Sequence, residues 1–209
     1  MPVDPTPPRA TELSNAVVRL RPASLGDAEE LFAAIGDERV WASGYAGGPA
    51  ARPRDVAAVR AMLESAVSAG LRGERQAYVV RLAGDSPLGP AGTLVGTSSL
   101  GEWDLANQRV HLGWTAYGPP WWGTAVNPAC KLALLGHAFD DCGFHRVKIQ
   151  TDLINARSQA GIAKLGATRE GVLRRHIRRA DGTWRDTVVY SVLRDEWPGV
   201  RAGLLARLP

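Results

Sequence analysis

The stretch Trp121-Trp122-Gly123-Thr124-Ala125-Val126-Asn127-Pro128 decides the reading of this chain. Before it, Arg109-Val110-His111-Leu112-Gly113-Trp114-Thr115 alternates as a half-buried strand, and the strand continues to Tyr117. After it, Leu132, Leu135, Phe139 and Cys142 recur at helical spacing. Asn127 suits the N-cap of that helix, and Pro128 suits the first helical position, where a missing N–H costs nothing. A loop of small residues feeding a helix N-terminus aims backbone N–H groups and positive dipole at one point, which is how proteins hold phosphate. The plainer reading of the same residues is a capped helix start.

Outward from this point the chain reads as alternating short elements. Val17 to Arg21 is a strand, and Ser24 and Asp27 open a helix with Ala28, Leu31, Phe32 and Ile35 on its apolar side. Asp55 to Ala69 is a second helix, ended by Gly70. Gln76–Leu82, Thr93–Leu100 and Arg109–Tyr117 are strands, and Arg146–Thr151 is another after the central helix. Ala156–Leu165 is a helix stopped by Gly166. Gly171–Arg179 and Trp184–Leu193 flank Ala180-Asp181-Gly182-Thr183, a hairpin turn, and a short helix begins near Glu196. This order predicts an α+β fold, classed as α/β in some schemes: a mixed, mostly antiparallel twisted sheet with helices on both faces. It has too few parallel units for a doubly wound dinucleotide fold.

Composition narrows the function. With 209 residues and 45% hydrophobic content the chain can bury a core as one domain, expected over 15–209 behind a disordered, proline-rich tail over 1–14. Cys130 and Cys142 lie twelve apart on one predicted helix, roughly 18 Å by helical rise, too far for a disulfide. A reducing, cytoplasmic setting fits, and no metal-ligand spacing occurs. No run is long and apolar enough to span a membrane. The net charge of +4 is carried almost wholly by arginine, since Lys131, Lys148 and Lys164 are the only lysines. It suits an anionic small ligand and is weak grounds for nucleic acid.

From Val17 to about Val200 the order of elements resembles the GNAT acyltransferases, and within them the Rim-type branch of ribosomal-protein N-terminal acetyltransferases. The residues that carry the resemblance are Val95-Gly96-Thr97-Ser98, Leu112-Gly113-Trp114, Trp122-Gly123-Thr124-Ala125-Val126-Asn127, His145-Arg146-Val147, Asn155-Ala156-Arg157-Ser158, Lys164-Leu165-Gly166-Ala167 and Glu170-Gly171-Val172-Leu173-Arg174. The resemblance implies acyl transfer, most simply of acetyl, from acetyl-CoA or another acyl-CoA to a primary amine, with no metal. The acceptor would be a small molecule or a peptide or protein amine, and a homodimer is possible within such a family. A scaffold that binds coenzyme A without turnover, and a succinyl-type transferase, are the alternatives.

The resemblance also assigns candidate residues. Trp122, Gly123, Thr124, Ala125, Val126 and Asn127 would hold the pyrophosphate, although the family's two glycine positions fall here on Ala125 and Asn127. Asn155 and Ser158 would meet the pantetheine arm and the sulfur, and Arg157 could add charge. The carbonyl donor maps to a strand bulge at about Trp114, Thr115 and Ala116. Where the family has a catalytic Glu this chain has His111, whose imidazole is a workable base; a histidine idle on a strand face is the alternative. Glu102 and Asp104 are the rival carboxylates, or merely turn residues. The family's tyrosine acid is replaced by Ile162, leaving Ser158. Trp41, Tyr45, Trp103 and Trp184 are available to wall the acceptor site, and Arg174, Arg175, Arg178 and Arg179 to form a basic rim.

Overall fold

The structure is a computed structural model that describes residues 4–42 and 44–209. Its centre is one eight-stranded sheet. In chain order the strands are β1 (Leu13–Ser14), β2 (Val18–Pro22), β3 (Arg75–Leu82), β4 (Leu94–Asp104), β5 (Arg109–Tyr117), β6 (Arg146–Asp152), β7 (Thr168–Arg178) and β8 (Trp184–Leu193). Across the sheet they run β1-β2-β3-β4-β5-β6-β8-β7. Every neighbouring pair is antiparallel except β5 and β6. The expected mixed sheet is therefore present.

The helices are α1 (Ala28–Ile35), α2 (Glu38–Trp41), α3 (Val56–Leu71), α4 (Val126–Gly136), α5 (Ala156–Leu165) and α6 (Trp197–Leu205). They divide between two cores. One packs α1, α2 and α3 around Ile35, Trp41, Val59 and Val79. The other packs α4, α5 and α6 against Leu20, Tyr78, Leu112, Phe139 and Val192. β3 is buried in an unbroken run over Ala77–Val80 because helices cover both its faces. The Asp55 carboxylate accepts from Ala58 N–H and caps α3, as its sequence signature indicates.

Two expectations are corrected. Residues from Asp4 onward are not a free tail. Pro5 and Pro8 are buried, Thr6 N–H donates to the Cys142 carbonyl, the Tyr78 hydroxyl donates to the Arg9 carbonyl, and Leu13–Ser14 pair with β2. Prolines carry no N–H to leave unsatisfied, so such a segment can lie on the body cheaply. Met1–Val3, the rest of that segment, lie outside the described residues.

The second correction concerns α4. It starts at Val126 with Ala125 at the cap, so Asn127 and Pro128 sit inside the first turn. Thr124 explains the shift. Its hydroxyl donates to the Trp121 carbonyl and accepts from Val126 N–H, ending the loop two residues early. Proline inside the first turn still costs nothing, because the first four helical N–H groups lack an intrahelical acceptor. α2, over which the sequence reading assigns no element, is a single turn capped by Asp37 in a segment with no helical period to read.

Candidate active site

β5 and β6 pair only over Arg109–His111 against Arg146–Lys148. Beyond these residues the ladder stops and the strands part. A bulge on β5 accompanies the parting: Thr97 pairs Ala116 and Ser99 pairs Gly113, so Trp114 and Thr115 face the single residue Ser98. Trp114 takes φ 49° to make that step. Gly96, opposite the end of the bulge, has φ 159°, and a Cβ there would lie 2.0 Å from the Ala116 carbonyl oxygen.

A cavity of about 760 Å³ fills the gap. His111 to Tyr117 of β5 and Ile149 to Asp152 of β6 form its walls, the N-terminus of α4 and the face of α5 one end, and the 44–47 loop with the β7–β8 hairpin the other. Trp122, Gly123, Thr124 and Asn127 line the first end. Gly123 turns the loop with φ 72° and nothing lies within 4 Å of where its Cβ would be. Among the described residues the backbone N–H groups of Gly123, Ala125 and Asn127 have no acceptor. Ala125 and Val126 do not line the cavity. Val126 is fully buried in the core and its N–H is taken by Thr124, so its expected ligand role is corrected to a structural one.

Asn155 caps α5 by accepting from Ser158 N–H at 2.9 Å, and both residues also line the cavity. The two readings of this pair are thus compatible. The Arg157 guanidinium lies 3.4 Å from the centre of a Trp122 ring, and burial pushes its pKa down. Arg157, Lys164 and Arg207 bring positive charge to this end. A run of unsatisfied N–H donors beside three cations fits a phosphate-bearing ligand.

His111 is 4% exposed and lines the cavity. Its Nδ1 lies 3.2 Å from Glu102 Oε2, which also accepts from Lys148 Nζ at 2.7 Å. His111 Nε2 is buried and has no partner among the described residues. Burial pushes the His111 pKa down against the opposing pull of Glu102, with Lys148 and Lys131 pushing the same way as burial. Hydrogen bonding to His111, with help from Lys148, holds the Glu102 carboxyl down at about 2. In the neutral form that burial favours, an imidazole with its proton on Nδ1 would donate to the Glu102 carboxylate and keep the Nε2 lone pair unoccupied. Such an arrangement can accept a proton. Gly113 is needed beside it, since a Cβ there would sit 2.6 Å from Nε2.

Asp104 does not reach the cavity. It accepts from Asn107 N–H, Asn107 Nδ2 and Arg109, clasping the β4–β5 turn. This corrects its place among the candidate bases. Of the expected aromatic wall only Tyr45 lines the cavity, its hydroxyl donating to the Trp114 carbonyl at 3.3 Å. Trp41 is core, bonded to the Ile35 carbonyl. Trp103 and Trp184 lie off the cavity, and of the expected rim only Arg178 and Arg179 reach it.

Lys131 is the residue the sequence hid. It is 7% exposed on α4, and its Nζ donates to Thr115 Oγ1 on the bulge at 2.9 Å; Thr115 in turn meets Ser98 Oγ at 2.7 Å. Burial lowers its pKa to about 8. No carboxylate is in ion-pair range of it among the described residues. Its position one helical turn after Asn127 was the available signal. Among the described residues no cluster of three or more His, Cys, Asp or Glu could hold a metal ion, and no helix is long and apolar enough to cross a membrane.

Comparisons with known proteins show the family and the fold. The Acetyltransferase (GNAT) domain family matches residues 18–168. The curated Bacillus subtilis protein "Putative ribosomal N-acetyltransferase YdaF" is 31% identical over 109 residues, which is 52% of this chain and 58% of that one. The match thus spans little more than half of that relative's length. The crystal structure of a "putative acetyltransferase" from T. thermophilus is 35% identical, with a TM-score of 0.80 over 95% of this chain and 97% of the other. Mycobacterium smegmatis RimJ in complex with CoA-disulfide shares the fold at 21% identity, with a TM-score of 0.72 over 98% of this chain and 97% of the other. The family match covers most of the sheet, including the parting strands and the loop before α4, and the chain belongs to the GNAT acetyltransferase family.

Proposed function

We propose that this protein is an acyl-CoA-dependent N-acetyltransferase that passes an acetyl group directly to a primary amine. A protein amine is the acceptor suggested by the relative named "Putative ribosomal N-acetyltransferase YdaF". The observation that carries the reading is His111, which lines the gap between β5 and β6 with its Nδ1 beside Glu102 and its buried Nε2 without a hydrogen-bond partner among the described residues.

Bound acetyl-CoA supplies the acyl group as a thioester. The N–H groups of Gly123 and Asn127, with Arg157, Lys164 and Arg207, are the groups suited to its phosphates. Asn155 and Ser158 border the arm. His111 Nε2 takes the amine proton, and Glu102 fixes the tautomer that leaves Nε2 open and stabilises the imidazolium that results. The bulge at Trp114–Thr115 is where a backbone N–H would meet the carbonyl oxygen. Lys131, behind Thr115, places positive charge where negative charge develops on oxygen and sulfur. The buried side chain at Ile162 offers no proton, which gives Lys131 greater weight.

Thermal stabilisation with acetyl-CoA, succinyl-CoA and free coenzyme A tests the donor side, with Asn155→Ala and Arg157→Ala alongside. The reading predicts a rise in Tm with acetyl-CoA that shrinks in both variants. No rise with any form, in a folded sample, refutes it. A rise without turnover on any amine would favour a coenzyme-A-binding scaffold instead.

A further inference from the structure

The acceptor end of the cavity has its own electrostatics, and they restrict which amine can enter. Two acidic side chains line the whole cavity, Glu102 and Asp152. Both are committed. Glu102 serves His111 and Lys148. Asp152 is 2% exposed and is held by Arg179, whose Nε and Nη2 reach its two oxygens at 2.8–3.0 Å. Neither carboxylate is left to greet a cation.

The basic groups at the same end are less fully used. Arg178, Arg179 and Arg185 all line it. Arg179 is spent on Asp152 and on the Trp184 carbonyl. Arg185 is not spent in the same way: its Nε is buried without a hydrogen-bond partner among the described residues. A buried guanidinium N–H with no acceptor is costly, and an anion is its natural complement. The facing loop confines the space. A Cβ on Gly44 would lie 2.9 Å from Asp152 Oδ2, and one on Gly47 would lie 3.7 Å from Ala180 N, so the loop sits directly against the hairpin that carries these arginines.

We infer that the acceptor is an amine bearing a carboxylate close to its reactive nitrogen, with the carboxylate read by Arg185 and Arg178. Polyamines and polycationic amines are disfavoured by the same field. The positive end also eases loss of the ammonium proton, so one arrangement selects the acceptor and prepares it for His111. The carboxylate can be the free α-carboxylate of an amino acid or short peptide, or the side chain of an acidic residue next to a peptide's N-terminus. The inference rests on the N-acetyltransferase reading above.

The test is kcat/KM at saturating acetyl-CoA for matched peptides beginning in alanine. The second residue is Asp, Ser or Lys, and each C-terminus is either free or amidated; spermidine is the polycation. Acidic acceptors should exceed the neutral amides roughly tenfold, the value of one charge-assisted hydrogen bond. Amidated lysine-bearing peptides and spermidine should fall below both. The advantage should shrink at high salt. If the free C-terminus alone confers it, the α-carboxylate is the source; if Asp confers it on amidated peptides, the side chain is.

Arg185→Gln with Arg178→Gln should level the series, Arg185→Lys should keep part of the preference, and Arg185→Glu should favour the lysine peptide. Retained acetyl-CoA affinity marks each variant as folded. Neutral or basic peptides acetylated as well as acidic ones by the wild type would overturn the inference while leaving the enzyme reading intact. So would a preference that survives in the double variant. Tight acetyl-CoA binding with no amine acetylated would instead overturn the enzyme reading, and the inference with it.

Discussion

Replacing Lys131 with methionine should make the protein more stable and less active. Lys131 is 7% exposed, and its ammonium is satisfied by one hydroxyl, Thr115 Oγ1 at 2.9 Å. Burial lowers its pKa from 10.5 to about 8. That difference corresponds to roughly 3 kcal/mol of cost to the fold at neutral pH. Methionine fills similar space without the charge. The variant loses one hydrogen bond to Thr115, worth about 1 kcal/mol, but Thr115 keeps Ser98. The net gain is about 2 kcal/mol, or about 4–8 °C in Tm for a chain of this size.

The sign with pH is a second check. The folded pKa lies below the unfolded one, so between about 8 and 10.5 the unfolded chain binds more protons and wild-type stability rises with pH. The advantage of Lys131→Met should be full at pH 7 and vanish toward pH 10.5. Turnover should fall by roughly a hundredfold to a thousandfold, as when a charge-stabilising donor is removed from an active site. Chemical denaturation across pH, with initial rates beside it, measures both. A variant less stable than wild type at pH 7, or a gain that does not decline in alkali, refutes the reasoning about the buried ammonium. Unchanged turnover refutes its part in the chemistry.

Other substitutions probe the rest of the site. His111→Gln should lower kcat by roughly 10²–10⁴-fold with acetyl-CoA affinity unchanged. In the wild type the acid limb of kcat/KM should have its midpoint below 6.5, because burial holds the imidazole neutral; Glu102→Gln should move that limb further into acid, since Glu102 is the group that raises the imidazole's pKa. A limb that moves upward in the variant would contradict the assignment. Gly113→Ala should depress kcat through displacement of the imidazole, its Cβ falling 2.6 Å from Nε2, while calorimetric affinity for acetyl-CoA stays near wild type. Asp152→Asn strips the charge partner of Arg179, whose side chain is 14% exposed, and should cost about 3 kcal/mol, or about 6–12 °C in Tm by scanning calorimetry.

Much of the sheet was legible because period-2 burial needs no tertiary knowledge. Val18 and Leu20 point inward between Arg19 and Arg21, and the 180–183 turn closes with Arg179 N–H on the Thr183 carbonyl. The start of α4 was legible only to within two residues, because a hydroxyl at Thr124 competed with the better-known cap at Asn127. The site was legible where a strand or helix fixed direction: His111, Asn155 and Ser158 all reach the cavity. The Glu102–His111 bond was not, since it depends on Glu102 at φ 49° beside a break in the β4–β5 register. Lys131 was hidden because a lysine on an amphipathic helix reads as its wet side. Tyr45 was uncertain because the 44–48 loop turns through several positive-φ residues that no periodicity describes.

The most direct test follows both products of the proposed transfer in one vessel: isotopically labelled acetyl-CoA, the wild-type protein and an alanine-initiated acidic peptide, with free thiol and peptide mass recorded over time. The account predicts one coenzyme A thiol released for each N-acetylated peptide, no label retained on the protein, and both signals lost together in His111→Gln. Acetyl-CoA that binds but is never consumed with any amine, or equal turnover in His111→Gln, would contradict it.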